Sequence, residues 1–152
     1  KNVYERQQKA NELRTLLEKE LAKAHIEAKF TWDIGATENE MQEALLLIRQ
    51  AQWRWDFGVS SHGGSFHAPQ ETMRILGHGL NKVFQARMLI SKVLVAHGYT
   101  DNVPLPDITT KEKAQQYIGL DMAVEKADKD KFLKEIVPEW LQKAKANGRI
   151  VN

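Results

Sequence analysis

The chain has 152 residues, 42% hydrophobic and 28% charged, and 22 basic against 20 acidic side chains leave a formal charge of +2. So even a balance gives no electrostatic footprint for nucleic acid or an anionic membrane, and no apolar run approaches the ~20 residues of a membrane span. The absence of cysteine excludes disulfides, thiolate metal sites and thioether-linked groups within these residues.

In chain order, the first predicted helix runs over about 3–34. Leu13, Leu17, Leu21, Ala24 and Ala28 recur at helical spacing with charges between them, and Gly35 ends the pattern. A second helix, over 38–57, opens on Thr37-Glu38-Asn39-Glu40, a capping-box signature. Met41, Leu45, Ile48, Gln52 and Trp55 form one face. Leu46, Leu47, Trp53 and Phe57 form a second, adjoining one. So wide an apolar arc predicts burial on two sides. Trp53 and Trp55, beside Gly58, Gly63 and Gly64, serve either as core or as walls for a flat cofactor.

The corner Ser60–Pro69 holds two glycines and two histidines, and Pro69 suits the first turn of a third helix, over 69–97. Along that helix Met73, Leu76, Leu80, Val83, Arg87, Ile90, Leu94 and His97 keep a strict a/d alternation. A helix of this length spans about 40 Å. Gly98 caps it, and a proline-rich loop follows. Thr109 and Glu112 suggest a second capping box and a short helix through Ile118. Asp121–Asp130 is a polar lead into a last helix, 131–147, that Pro138 should kink or restart. The expected fold class is all-α: a long-helix bundle of three long helices plus two shorter C-terminal ones, forming a single helical domain over 1–152.

The five histidines are His25, His62, His67, His78 and His97. None stands in a His-Glu-x-x-His pattern. His67 and His78 would lie ~16 Å apart along one helix, too far to share a metal. A metal-dependent hydrolase using His62, His67 and Asp56 lacks supporting ligand spacing. Residue types alone describe a helical packing domain with one unusual corner.

Five ordered motifs carry a resemblance. They are Ala24-His25-x-Glu27-Ala28-Lys29, Trp32-Asp33-x-Gly35-Ala36-Thr37, Ala51-Gln52-Trp53-Arg54-Trp55-Asp56, Ser61-His62-Gly63-x-x-Phe66-His67-Ala68-Pro69 and Thr110-Lys111-Glu112-Lys113-Ala114. Together they resemble the C-terminal helical part of the ammonia-forming cytochrome c nitrite reductases, the periplasmic pentahaem enzymes, from Tyr4 to Gly148. That family attaches haem c through Cys-x-x-Cys-His motifs, with lysine replacing histidine at the active-site haem, and none occurs here. The resemblance therefore implies a fragment without the N-terminal haem-binding part, without catalytic residues of its own, and inactive alone. The calcium of the parent enzyme would also lie outside this chain.

For the parent, the resemblance implies six-electron reduction of nitrite to ammonium in the periplasm, with an electron-donor redox protein as partner. For this part it implies one axial histidine for a haem, contact with the haem-bearing part, and a homodimer through the long helices, with neither nucleic acid nor a membrane span. His67, in Phe66-His67-Ala68-Pro69, is the expected distal ligand to haem iron, with His62 as its competitor. The a/d stripe is the expected dimer seam, with Arg87 reaching an acid of the partner helix; the alternative packs the stripe within one chain and leaves Arg87 at the rim. A haem-free helical interaction module without catalytic role is the alternative function.

Overall fold

The computed structural model describes residues 2–61 and 63–150. Four helices come first: α1 (Asn2–Asp33), α2 (Glu38–Ser60), the single turn α3 (Gly64–His67) and α4 (Pro69–Ala96). Then come α5 (Lys111–Tyr117), α6 (Met122–Lys131) and α7 (Val137–Ala146). Among the described residues there is no strand, and the expected all-α class holds. The three long helices fall where the 3.6-residue periodicity put them. The chain divides into two compact units, Lys1–Leu105 and Pro106–Asn152.

In the first unit α1, α2 and α4 surround a core in which Leu17, Met41, Leu76, Val83 and Ile90 are fully buried. Gly79 sets how closely α4 approaches α1, because a Cβ there would lie 2.6 Å from Leu17 Cδ2. The α2 capping box forms as expected. The Thr37 N–H donates to Glu40 Oε2 at 2.7 Å, and the Glu40 N–H donates to Thr37 Oγ1 at 3.4 Å. The other Glu40 oxygen lies 3.1 Å from Nε2 of His97, the residue that caps α4. One carboxylate thus joins the start of α2 to the end of α4. Beyond α4, Tyr99 packs on Phe30 with ring centroids 4.8 Å apart and donates its hydroxyl to the Asn102 carbonyl.

Two expectations for this unit are corrected. The a/d stripe of α4 is internal: Leu76, Leu80, Val83, Ile90 and Leu94 are buried within the chain. Arg87 therefore meets its acids on α1 of the same chain. Its Nε and Nη2 donate to the two Glu27 oxygens at 2.8 and 2.6 Å, and its Nη1 donates to Glu20. Lys23 donates to the other Glu20 oxygen at 2.7 Å. The guanidinium of Arg87 is held above its ordinary range, first by the hydrogen bonds to Glu27. The second apolar face of α2 is only partly buried: Leu47 is buried, but Leu46 is exposed. Trp53 is 80% exposed and Phe57 53%, because α1 and α4 together cover only one side of the helix.

In the second unit no described residue is buried. Thr110, not Thr109, caps α5, with its hydroxyl accepting from the Lys113 N–H. Thr109 turns back instead, donating its N–H and hydroxyl to Asp107, which also pairs with Lys113. The polar stretch read as a lead-in is itself a helix, α6, because the Asp121 carboxylate accepts from the N–H groups of Ala123 and Val124. The disturbance expected at Pro138 takes the form of a π-turn over Phe132–Ile136, after which Pro138 sits in the first turn of α7. Phe132 meets Trp140 edge to face across it, centroids 5.4 Å apart.

Arg87→Ala would leave two largely buried carboxylates without their main partner. We expect a loss of about 2–4 kcal/mol in urea unfolding at pH 7. Glu40 carries a second, acid-side prediction. The Thr37 backbone N–H, then its hydroxyl and His97, lower its carboxyl from 4.5 to about 2. A value lowered on folding stabilises the fold fully above the ordinary value, and the effect fades as pH falls towards 2. Thermal melts of Glu40→Gln should accordingly depend less steeply on pH between 5 and 2 than those of the parent chain.

Candidate functional site

The corner between α2 and α4 is built by a chain of short-range backbone bonds. Helix α2 ends where the Ser61 N–H donates to the Phe57 carbonyl at 3.0 Å, and the Gly64 N–H donates back to Ser61 at 2.9 Å. Gly63 has φ +83°, a left-handed conformation that costs glycine little. Its carbonyl accepts from the N–H groups of Phe66 and His67, at 3.0 and 2.8 Å, and so closes the single turn α3. The Ala68 carbonyl then accepts from the N–H and the hydroxyl of Thr72, a buried residue in the first turn of α4. His67 is therefore fixed at the backbone on both sides.

Its side chain is exposed. The imidazole meets the Phe66 ring edge-on, centroids 5.0 Å apart. A Cβ on Gly63 would come within 3.2 Å of His67 Cδ2 and 3.7 Å of Nε2, so the bare glycine makes room for the ring. Gly64 permits a second close approach, to Ser61 and Thr72. Gly58 has a packing role instead, since a Cβ there would strike Leu76 at 2.8 Å. His62 lies outside the described residues.

The two neighbouring indoles separate. Trp55 packs against the core, and its Nε1, though buried, has no hydrogen-bond partner among the described residues. Trp53 stands at the surface and lines a groove of about 240 Å³ with Arg54, Phe57, Arg74, Ile75 and His78. Sequence reasoning did not assemble this groove; its signal was Trp53 and Phe57 one turn apart on a face too apolar for solvent. His67 is not among its lining residues. Within it Arg74 pairs with Glu71, and the bond raises the guanidinium and lowers the carboxylate. A groove of this size is below the ~300–1,000 Å³ of pockets that enclose a small-molecule ligand, so it can take an edge of a flat group at most. Among the described residues no three acidic or histidine side chains gather as a metal site. Asp56, the carboxylate considered for a hydrolase, accepts from Gln52 at 3.0 Å.

The family model for cytochrome c552 matches residues 1–148. The chain belongs to the cytochrome c552 family. It is 74% identical over 149 residues to a cytochrome c-552 of Bacteroides fragilis, covering 98% of this chain and 30% of that protein. It is 72% identical, with the same coverage, to a cytochrome c-552 of Bacteroides thetaiotaomicron. With a cytochrome c-552 of Porphyromonas gingivalis the identity is 64% over 151 residues, covering 99% of this chain and 30% of that one. The chain thus spans about 30% of the length of the curated relatives it matches. Among the described residues no helix is long and apolar enough to cross a membrane.

Membership of a cytochrome c family implies haem c and electron transport, and the residues present fit one part of that chemistry. They do not fit covalent attachment, because the chain has no cysteine to form a thioether. They do fit axial ligation. His67 is exposed on the hydrogen-bonded turn α3, and its ring has no hydrogen bond from the described residues.

The predicted consequence of the Gly63 contact is local. Gly63→Ala would place a side chain in a left-handed conformation and crowd the imidazole. We expect a cost of about 1 kcal/mol in thermal unfolding. The NMR resonances of the His67 ring should shift while those of His25 stay in place.

Proposed function

We propose that this chain works as the helical part of a longer c-type cytochrome, an ammonia-forming nitrite reductase of the periplasm, to which it contributes one axial haem ligand and a homodimer contact. The observation that carries the reading is the match to the cytochrome c552 family over residues 1–148 by a chain without cysteine. A cytochrome segment that cannot attach haem can still complete the coordination of haem attached elsewhere in the polypeptide. The relatives are long enough for this, since this chain accounts for only 30% of their length.

His67 is the ligand in this reading. Histidine ligates haem iron through a neutral ring nitrogen while the other nitrogen is free for an acceptor. Backbone bonds of the α3 turn hold the His67 peptide, Gly63 gives the ring space, and Phe66 bounds one edge. Haem c, when bound, supplies electron transfer at a potential set by its axial ligands and by how well water is excluded. Ligation on both faces leaves no open position, so the haem that His67 completes relays electrons to a substrate site elsewhere. Nitrite reduction, the calcium of the parent enzyme and docking of an electron-donor redox protein all belong outside this chain. A second reading, a haem-free helical interaction module, draws its support from the absence of cysteine.

The test uses the haem-loaded cytochrome that includes this segment. His67→Ala should convert one low-spin haem into a high-spin or water-ligated one in the EPR spectrum, and added imidazole should restore the low-spin signal. Loss of that signal in His62→Ala but not in His67→Ala would move the role to His62. A cytochrome in which neither variant changes any haem signal would favour the interaction module.

A further inference from the structure

The groove beside Trp53 has no part in the ligation assigned to His67, which does not line it. Trp53 and Phe57, one turn apart on α2, give it two aromatic walls, and Arg74, Ile75 and His78 come from α4. An indole left 80% exposed forgoes roughly 3–5 kcal/mol of burial. Beside it stands Arg54, half-buried. Its stem is seated at the bare Gly79, where a Cβ would lie 3.3 Å from Arg54 Cβ. Its Nη1 donates to the Gln50 carbonyl at 2.7 Å, and among the described residues it has no carboxylate partner. A partly desolvated guanidinium without an acid is costly, and an anion from outside relieves it. Across the groove Arg74 pairs with Glu71, but both side chains are more than half exposed. Such a pair is weak enough for a second carboxylate to compete.

The groove therefore suits a flat apolar group bordered by carboxylates, and at about 240 Å³ it admits only the edge of one. A haem has such an edge, since one side of its macrocycle carries two propionates. Guanidiniums match carboxylates fork to fork, and aromatic side chains supply apolar area against the macrocycle. An acidic peptide would also bring carboxylates, but on separate flexible stems whose ordering lowers its affinity. Haem is moreover the group that membership of a cytochrome c family implies. This chain makes up about 30% of the length of its relatives and has no cysteine to attach one.

We infer that the groove between α2 and α4 holds the propionate edge of a haem carried by the rest of the polypeptide, with Trp53 and Phe57 against the macrocycle and Arg54 and Arg74 donating to the propionates. This rests on the proposed function for the presence of haem elsewhere in the polypeptide; it does not depend on which histidine is a ligand.

The test uses the haem-loaded cytochrome that includes this segment, followed by spectropotentiometry and resonance Raman spectroscopy. Arg54→Gln and Arg74→Gln, the second at an exposed position where folding is not at risk, each remove a positive charge beside a haem. At a fixed electrode potential each should move the oxidised-to-reduced ratio of one haem about threefold towards the oxidised form. The propionate bending bands should shift with it, while the low-spin EPR signals stay in place. Arg49→Gln, an exposed cation five residues before Arg54 on the same helix, should leave both readouts unchanged. Hydroxyl-radical oxidation of Trp53, ready in the isolated chain, should be lost in the loaded cytochrome. Trp53 oxidised equally in both would overturn the inference. So would protection of Trp53 with no haem altered by either arginine variant, which would mean that polypeptide covers the groove. An equal shift in Arg49→Gln would reduce the effect to a long-range field and overturn the contact. Failure of the ligand reading is separate, because His67→Ala and His62→Ala report on spin state and these variants do not.

Discussion

The forked contact from Arg87 to Glu27 and Glu20 decides how α4 is rotated against α1. A guanidinium that is 28% exposed, against carboxylates 7% and 13% exposed, is tolerated only because each charge has a partner in good geometry. Turning α4 by one position would strand three charges in an apolar setting. Gly79 against Leu17 reinforces the choice, since a Cβ there would come within 2.6 Å of Leu17 Cδ2 and force a shift. With the inner face settled in this way, the outer face is settled too. Phe84, Met88 and Val95 face away from the core because Arg87, Val83 and Ile90 face it.

The same rotation sets the corner at the head of α4. Thr72 is buried and returns two hydrogen bonds to the Ala68 carbonyl, so the register of the first turn of α4 fixes the peptide that follows His67. On its other side His67 is held by Gly63. In the proposed role of His67 as a haem ligand, such a turn is preorganised: its backbone need not be reordered when iron is bound, and the entropy of ordering is lost on folding instead. The geometry of this small element is inherited from the packing of the long helices.

Much of this was legible in the residues themselves. The ends of α1, α2 and α4 follow from Gly35, Thr37 with Glu40, Pro69 and Gly98, because caps act through local hydrogen bonds. The disturbance near Pro138 was legible for the same reason. Which faces are covered was not. Trp53 and Trp55 are two residues apart on an apolar arc, and periodicity cannot tell that α1 and α4 cover one side only. Arg87 at an a position has the same pattern whether its acid lies on another chain or 60 residues back at Glu27. Thr109 and Thr110 are adjacent capping candidates, and the choice fell to Asp107, which captures Thr109. His67 was picked out by resemblance; the backbone bonds on either side of it and the space at Gly63 are visible only in three dimensions.

An experimental structure of the haem-loaded cytochrome containing this segment bears most directly on the central claim, that the turn at α3 exists to present an imidazole to a haem held by the rest of the polypeptide. The account predicts a ring nitrogen of His67 within bonding distance of an iron, with α3 and Gly63 in the conformation described here. A structure in which every haem is six-coordinate, or open only at the substrate, with His67 facing solvent would contradict it.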